Sequence, residues 1–194
     1  MGSMEFDWGR LIVGQLEFYW DVHLRPRLDG LTDEEYLWEP VKDAWNLRRR
    51  PDGTFGADGH LGDDAPLDRD KPPVTTIAWR MMHVAASCFW NRYQAFFGDQ
   101  DAPADLDMFD PRFLPADLPG TAAGGTAFLE DAYRRWHGSI AALDEAALRE
   151  PLGARGGPYA EDSMAALIVH ISREAMHHGG EIGALRDLYR AGVR

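Results

Sequence analysis

The chain has 194 residues, of which 45% are hydrophobic and 27% charged, a balance typical of a soluble globular protein with a single domain. Its formal net charge of −12 argues against a nucleic-acid partner, because binding phosphates requires a basic face. No apolar run of about eighteen residues is present that could cross a membrane, and the single cysteine, Cys88, excludes an internal disulfide and fits a reducing cytoplasm.

The N-terminal residues carry no basic segment followed by an apolar one, so no signal peptide is predicted. We interpret residues 1–3 as a cloning remnant ahead of a native Met4. One domain is therefore expected over residues 4–194, in a cytoplasmic protein.

The first predicted helix covers residues 5–28, where apolar side chains recur at helical spacing and Pro26 marks a frayed end. A short helix is predicted over residues 31–36. Its signals are Thr32 as the N-cap and Glu35, three residues on, as the partner in a capping box.

A long irregular stretch follows, from about Glu39 to Pro73, in which Pro51-Asp52-Gly53 and Lys71-Pro72-Pro73 are turn signals. A loop of this length inside a compact domain is usually functional or mobile. It contains the strongest positive cluster of the chain, Arg48-Arg49-Arg50, which is either a solvated loop segment or a clamp for an anionic small molecule.

Three further helices are predicted, and no segment alternates apolar and polar residues over the length of a strand. Their limits are Thr75 or Thr76 to Phe97, Thr126 to Leu143, and Asp162 or Ser163 to Tyr189 or Arg190. Four long helices joined by loops predict an all-α fold, a four-helix bundle with a long loop between its first two helices.

The fourth helix carries a carboxylate and an imidazole in the middle of its apolar stripe. Glu174 and His178 lie about 40° apart on one face of the helix. The apolar residues within about 60° of the midpoint between them are Leu167, Ile171, Ile182 and Leu185. The residues expected to project elsewhere, mostly on the opposite side, are Arg173, Arg186, Asp187 and Arg190.

A buried carboxylate is costly unless a partner compensates its charge. A metal ion would do so, because Glu and His one helical turn apart can reach the same cation. A third donor must then come from another helix, and His83 in the second helix is a candidate. The alternative is a buried Glu–His ion pair and a core histidine. Cys88 lies about 140° around an α-helix from His83 and is expected to point away from the site.

Two motifs resemble the DinB-like superfamily of metalloenzymes. They are Trp79-Arg80-Met81-Met82-His83-Val84-Ala85 and, about ninety residues later, Arg173-Glu174-Ala175-Met176-His177-His178-Gly179-Gly180-Glu181-Ile182. The segments Leu31 to Pro40, Trp45-Asn46-Leu47-Arg48 and Pro72 to Ile77 resemble the same family in the same order. The resemblance covers essentially the whole chain and implies a DinB/YfiT-like bundle.

The resemblance also implies a metal held by His83, Glu174 and His178, with His177 as a neighbour that is not a ligand. Glu174 stands where many members have histidine, a departure shared with the mycothiol-dependent maleylpyruvate isomerases. We expect no counterpart of the extra C-terminal domain of those isomerases, so the resemblance does not imply their particular reaction. Many relatives have Arg at Gly179; this glycine and Gly180 either admit a neighbour or are simply tolerated in mid-helix.

The implied chemistry is that of a metal, zinc first and nickel second, which binds a low-molecular-weight thiol such as mycothiol and lowers its pKa. Arg48, Arg80 and Trp45 are the residues proposed to bind the thiol, with Arg49 and Arg50 as further candidates for its carboxylate. A small-molecule substrate is expected, and members of the superfamily often pair as homodimers.

Three functions remain open on the sequence. The first is a thiol-dependent transferase or isomerase acting on an electrophile, which a basic pocket would favour. The second is a metal-dependent hydrolase using metal-bound water, which a nearby general base would favour. The third is a bundle that binds metal or ligand without catalysis, which a pocket filled by side chains would favour.

Overall fold

The computed structural model describes residues 6–61, 73–98, 103 and 105–193. The predicted remnant, the first residue of the predicted first helix and the Lys71-Pro72 turn signal lie outside these residues. Four long helical stretches form the bundle, as predicted. Their bounds are α1 Trp8–Tyr19, continued by a π-helical turn Trp20–Leu24 and α2 Arg25–Arg27; α4 Ile77–Met82, continued by a π-helical segment His83–Trp90 and α5 Asn91–Phe96; α6 Ala122–Ala141; and α8 Met164–Arg190.

The remaining elements are short and lie between the long helices. They are α3 Asp33–Tyr36, strands β1 Leu47–Arg49 and β2 Phe55–Ala57, 3₁₀ segments Pro111–Phe113 and Gly153–Tyr159, and α7 Glu145–Arg149. Within the described ranges, no helix combines the length and apolarity needed to cross a membrane.

Each long helix begins at a side-chain cap that the sequence makes visible. At the start of each long helix one side chain accepts a hydrogen bond from a backbone N–H of the first turn. These side chains are Asp7, Thr76, Thr121 and Ser163. The predicted start of the third helix at Thr126 is four residues late, because Gly124 and Gly125 discourage a helical prediction. In the structure Gly125 is helical and lets the Tyr36 hydroxyl approach, since a Cβ there would lie only 2.6 Å from that oxygen.

The bundle packs α1 and the His83–Trp90 segment against both α6 and α8, around one apolar core. Most of the predicted stripe of α8 is buried: Leu167, Ile171 and Ile182 are at most 4% exposed, and Leu185 is partly buried against the core. The long loop contains an antiparallel hairpin that the sequence analysis did not predict, with β1 and β2 joined across Gly53 at a φ of 92°. Each strand has three residues, too few to show alternation.

Glu35 and Arg186 form a buried ion pair, which corrects two predictions. Thr32 caps α3 as expected, accepting from the Glu35 N–H. The Glu35 carboxylate, however, accepts from Arg186 at 2.7 and 2.9 Å, so it is a partner of α8 and not the reciprocal half of a capping box. Arg186, expected to project away from the core, is 1% exposed and also donates to the Asp29 carbonyl at 3.2 Å.

The two glycines in the middle of α8 differ in their surroundings, and this difference yields a prediction. A Cβ at Gly179 would collide with the Tyr19 hydroxyl, whereas a Cβ at Gly180 would meet nothing within 4 Å. Gly179→Ala is expected to lower the free energy of unfolding by about 1–3 kcal/mol through overpacking. Gly180→Ala should raise it by about 0.5–1 kcal/mol, because alanine favours the helix. Urea denaturation of the two variants measures both changes, and shifts of equal sign would refute this account.

Candidate metal centre

His83, Glu174 and His178 converge on one point between the second and fourth long helices. One ligand atom from each lies within 4.8 Å of the other two. The Nε2 of His178 is 3.2 Å from Oε2 of Glu174, and the rings of His83 and His178 meet nearly perpendicularly, with centroids 4.5 Å apart. His83 is 3% exposed and His178 8%. The three residues singled out from the sequence are thus brought together in a largely buried group.

The orientation of the His83 ring is set by the long loop and by Trp79. Its Nδ1 lies 2.5 Å from the Leu61 carbonyl oxygen; a carbonyl only accepts, so Nδ1 donates and Nε2 keeps its lone pair. Trp79 stacks on the ring at 5.6 Å and 5°, and its own Nε1 donates to the Asp58 carbonyl at 2.8 Å. His83 therefore presents Nε2 as a ligand atom.

His178 is oriented by a carboxylate that the sequence analysis did not assign. Its Nδ1 donates to Oε2 of Glu181 at 2.7 Å, and the same oxygen pairs with Nε of Arg80 at 2.7 Å. Such carboxylate–histidine pairs usually stand behind a metal ligand and fix its tautomer. The signal available in the sequence was a Glu three residues after a candidate ligand, on the same helix face.

The charges around His178 act against one another. Burial alone would lower the pKa of His178, but hydrogen bonds to Glu174 and Glu181 outweigh it, and the pKa is raised. Burial alone would raise the pKa of Glu181, but His178 and Arg80 hold it below its ordinary value. The group is thus a compact set of opposite charges on two helices.

The residues predicted to bind a thiol lie in different surroundings. Arg80 borders the site through Glu181, and Trp45 packs on Trp79 with ring centroids 5.6 Å apart. Arg48 instead forms ion pairs with two loop carboxylates, Glu39 at 2.5 Å and Asp58 at 2.8 Å. Arg48 thus joins two parts of the loop, while the thiol-binding roles of all three residues stay predictions.

Cys88 does not point away from the site, contrary to the expectation from an α-helical wheel. Its Sγ lies 3.7 Å from Nε2 of His83, and the residue is fully buried. The reason is the π-helical segment His83–Trp90, because π-helical hydrogen bonds join an N–H to the carbonyl five residues earlier, and residues five apart then share a face. The Cys88 thiol therefore contacts Nε2 of His83, the atom whose lone pair a metal would use.

This contact predicts how substitutions at Cys88 change metal affinity. Because the Cys88 thiol contacts Nε2 of His83, the atom that a metal would use, Cys88→Ala is expected to tighten zinc binding by about 2- to 10-fold, the effect of one weak hydrogen bond. Cys88→Ser, a stronger donor, should weaken it. Competition titrations with a chromophoric chelator measure both changes. A loss of affinity in Cys88→Ala, together with loss of a sulfur-to-metal band in the cobalt form, would show instead that Cys88 is a ligand.

Glu174 connects this group with residues that precede it on α8. While its Oε2 faces His178, its Oε1 lies 3.8 Å from Nε of Arg173 and 3.9 Å from Nδ1 of His170. A second group of ligand types, His177, His178 and Glu181, overlaps the first and is more exposed. His177 belongs only to this outer group.

The donor set fits a divalent cation. It offers two imidazole nitrogens and one carboxylate oxygen, which suit zinc, nickel, iron or manganese. In both histidines the nitrogen not facing the group donates to an oxygen acceptor, the arrangement found behind metal-bound imidazoles. Three protein donors leave positions for a further ligand, the pattern of catalytic rather than structural sites.

The helical bundle and the candidate ligand group are together typical of metal-binding helical proteins. The model of the DinB superfamily matches residues 15–182, from α1 to beyond the candidate ligands on α8. The chain belongs to the DinB superfamily, whose members generally bind a metal. No curated protein and no solved structure gives a significant match to the chain.

Proposed function

We propose that this protein binds a divalent metal, zinc in the first place, through His83, Glu174 and His178, and uses it with a low-molecular-weight thiol of the mycothiol type. The reaction would be the transfer or isomerisation of an electrophilic small molecule. The observation that carries the proposal is the convergence of two buried histidines and the half-buried Glu174, each histidine held by a separate acceptor. When bound, the metal would lower the pKa of the thiol and supply a thiolate at neutral pH.

The residues of the chain would then orient and shield the reactants. The Leu61 carbonyl and Glu181 fix the two imidazoles with Nε2 toward the group. Trp79 covers the face of His83 and limits the access of water from that side. Arg80, whose side chain is 19% exposed, is the cation best placed to meet a carboxylate of the thiol.

The other functions considered from the sequence are less well supported. A hydrolase would need a general base, but the two carboxylates of the site are engaged, Glu174 in the ligand group and Glu181 with His178 and Arg80. A bundle that binds a metal or a ligand without catalysis would have the space around the site filled by side chains. A cavity of about 580 Å³ lies close to the site, lined in part by His170 and Arg173, which approach Glu174.

The proposal is tested by titrating mycothiol, bacillithiol and glutathione into the zinc-loaded and the metal-free protein in a calorimeter. One of these thiols is expected to bind the zinc form with a Kd below about 1 mM and to bind the metal-free form at least tenfold more weakly. In the cobalt form its binding should add a sulfur-to-metal absorption band. Arg80→Gln should weaken thiol binding, while Arg149→Gln, which alters an exposed cation on α7, serves as a control. Absence of binding by all three thiols at millimolar concentration would refute the proposal.

A further inference from the structure

A cavity of about 580 Å³ lies at the end of the bundle where α8 begins. The 3₁₀ segment Gly153–Tyr159, the chain around residues 107–109 and the first two turns of α8 surround it. Its size falls within the range of sites for small organic ligands. The larger apolar and aromatic residues of its walls are Met108, Phe109, Leu152, Pro158, Tyr159 and Leu167.

The charged groups of the cavity are unevenly distributed. Arg173 and His170 lie on the side of Glu174, and their Nη2 and Nδ1 atoms are 2.5 Å apart. Arg92 is buried, with its guanidinium 4.8 Å over the Phe109 ring. The lining also contains two carboxylates, Asp107, which accepts the Phe109 N–H at 2.8 Å, and the exposed Asp162.

We propose that this cavity binds a small aromatic carboxylate, with its ring between the apolar walls and its carboxylate at Arg173 and His170. Apolar walls favour the ring, and a guanidinium can pair with a carboxylate through two parallel hydrogen bonds. That this ligand is the substrate of the metal centre rests on the function proposed above. The binding itself does not depend on that function.

The position of Glu174 couples the cavity to the metal centre. One oxygen of this carboxylate faces His178 and the other faces Arg173 and His170, so the ligand carboxylate would lie beside it. Without a metal, Glu174 repels an anion at this place. With a metal bound, part of that negative charge is compensated, and an anion should bind more tightly. By linkage the anion tightens metal binding by the same factor.

The probe for the experiment is 2-naphthoate, with the neutral isostere 2-naphthamide as its partner, titrated into metal-free and zinc-loaded protein by calorimetry. We expect 2-naphthoate to bind the zinc form with a Kd on the order of 0.1–1 mM, typical of a ligand of this size. The amide and the metal-free protein should each give binding about 3- to 10-fold weaker.

Two pairs of variants locate the site. Ala166 lines the cavity at an exposed position of α8, whereas Val169 is exposed on the same helix outside the cavity lining. Ala166→Trp is expected to abolish binding of both probes, and Val169→Trp to leave it unchanged. Arg173→Gln should remove the preference for the carboxylate over the amide, while Arg149→Gln, which alters an exposed cation on α7, should keep it.

The outcomes separate this inference from the proposed function. Absence of saturable 2-naphthoate binding to both protein forms at about 5 mM would overturn the inference, whatever the thiol titration shows. An equal loss of affinity for both probes in Arg173→Gln would also overturn it, since the arginine would then maintain the shape of the cavity and would not recognise the carboxylate. If 2-naphthoate binds as expected while no thiol binds, the inference about the cavity is supported and the proposed thiol-dependent function is refuted.

Discussion

His178→Ala is expected to reduce zinc affinity by more than two orders of magnitude. Loss of an outer partner of a metal ligand typically costs 10- to 100-fold, and removing a ligand itself must cost more. His178 is 8% exposed and its Nε2 lies 3.2 Å from Glu174, so no solvent-exposed group can easily replace it. Elemental analysis of the purified variant, followed by a chelator competition titration, measures the loss.

The matched controls are chosen because two groups of ligand types share His178. If the buried group holds the metal, His83→Ala and Glu174→Gln should lose zinc as His178→Ala does, while His177→Ala should retain it. The opposite pattern, loss in His177→Ala and retention in His83→Ala, would place the metal in the exposed group of His177, His178 and Glu181. Equal zinc content in the parent and in every variant would show that neither group of residues binds the zinc.

The Glu35–Arg186 ion pair predicts the largest loss of stability. Arg186→Met leaves the Glu35 side chain, only 4% exposed, without its bidentate partner at 2.7 and 2.9 Å. Breaking one side of a buried pair typically lowers the free energy of unfolding by about 3–5 kcal/mol, because a charge remains buried without compensation. Glu35→Gln should have an effect of similar size. Urea denaturation followed by circular dichroism gives both values.

Arg190 offers the comparison within the same helix. It also approaches Glu35, with Nε 3.6 Å from Oε1, but its side chain is 52% exposed. Arg190→Met should therefore change the free energy of unfolding by no more than about 1 kcal/mol. The double variant Glu35→Leu with Arg186→Met should recover part of the loss, since no unpaired charge remains. A single Arg186→Met variant as stable as Arg190→Met would show that the pair contributes little.

Helix periodicity predicted much of the fold and the core of the site. Of the alternative starts predicted for two helices, Thr76 and Ser163 are the N-caps, and the apolar stripe of α8 indicated that Glu174 and His178 are polar residues on its core-facing side. Periodicity could not choose their partner on another helix. His83 came from the family resemblance, and the structure brings it to the other two.

The errors arose where a neighbouring segment determines the surroundings of a side chain. Arg186 lies off the apolar stripe of α8, and a helical wheel has no information that α3 and the turn at Asp29 cover that flank. Glu35 fits the spacing of a capping box, yet a buried guanidinium is the stronger partner. Cys88 was misplaced because its helix is locally π-helical, and no residue pattern in the segment indicates the wider turn.

The contacts of the loop between the first two long helices connect its opening rate with the release of a metal from the candidate site. The Leu61 carbonyl accepts from His83, one of the candidate ligands, the Asp58 carbonyl accepts from the Trp79 indole stacked on that imidazole, and Trp45 pairs with Thr75 just before α4. Local opening of this described part of the loop would break the hydrogen bond at Nδ1 of His83 and uncover one side of the candidate site. For a metal bound there as proposed, release would require that opening, so the dissociation rate of the ion would report the opening rate.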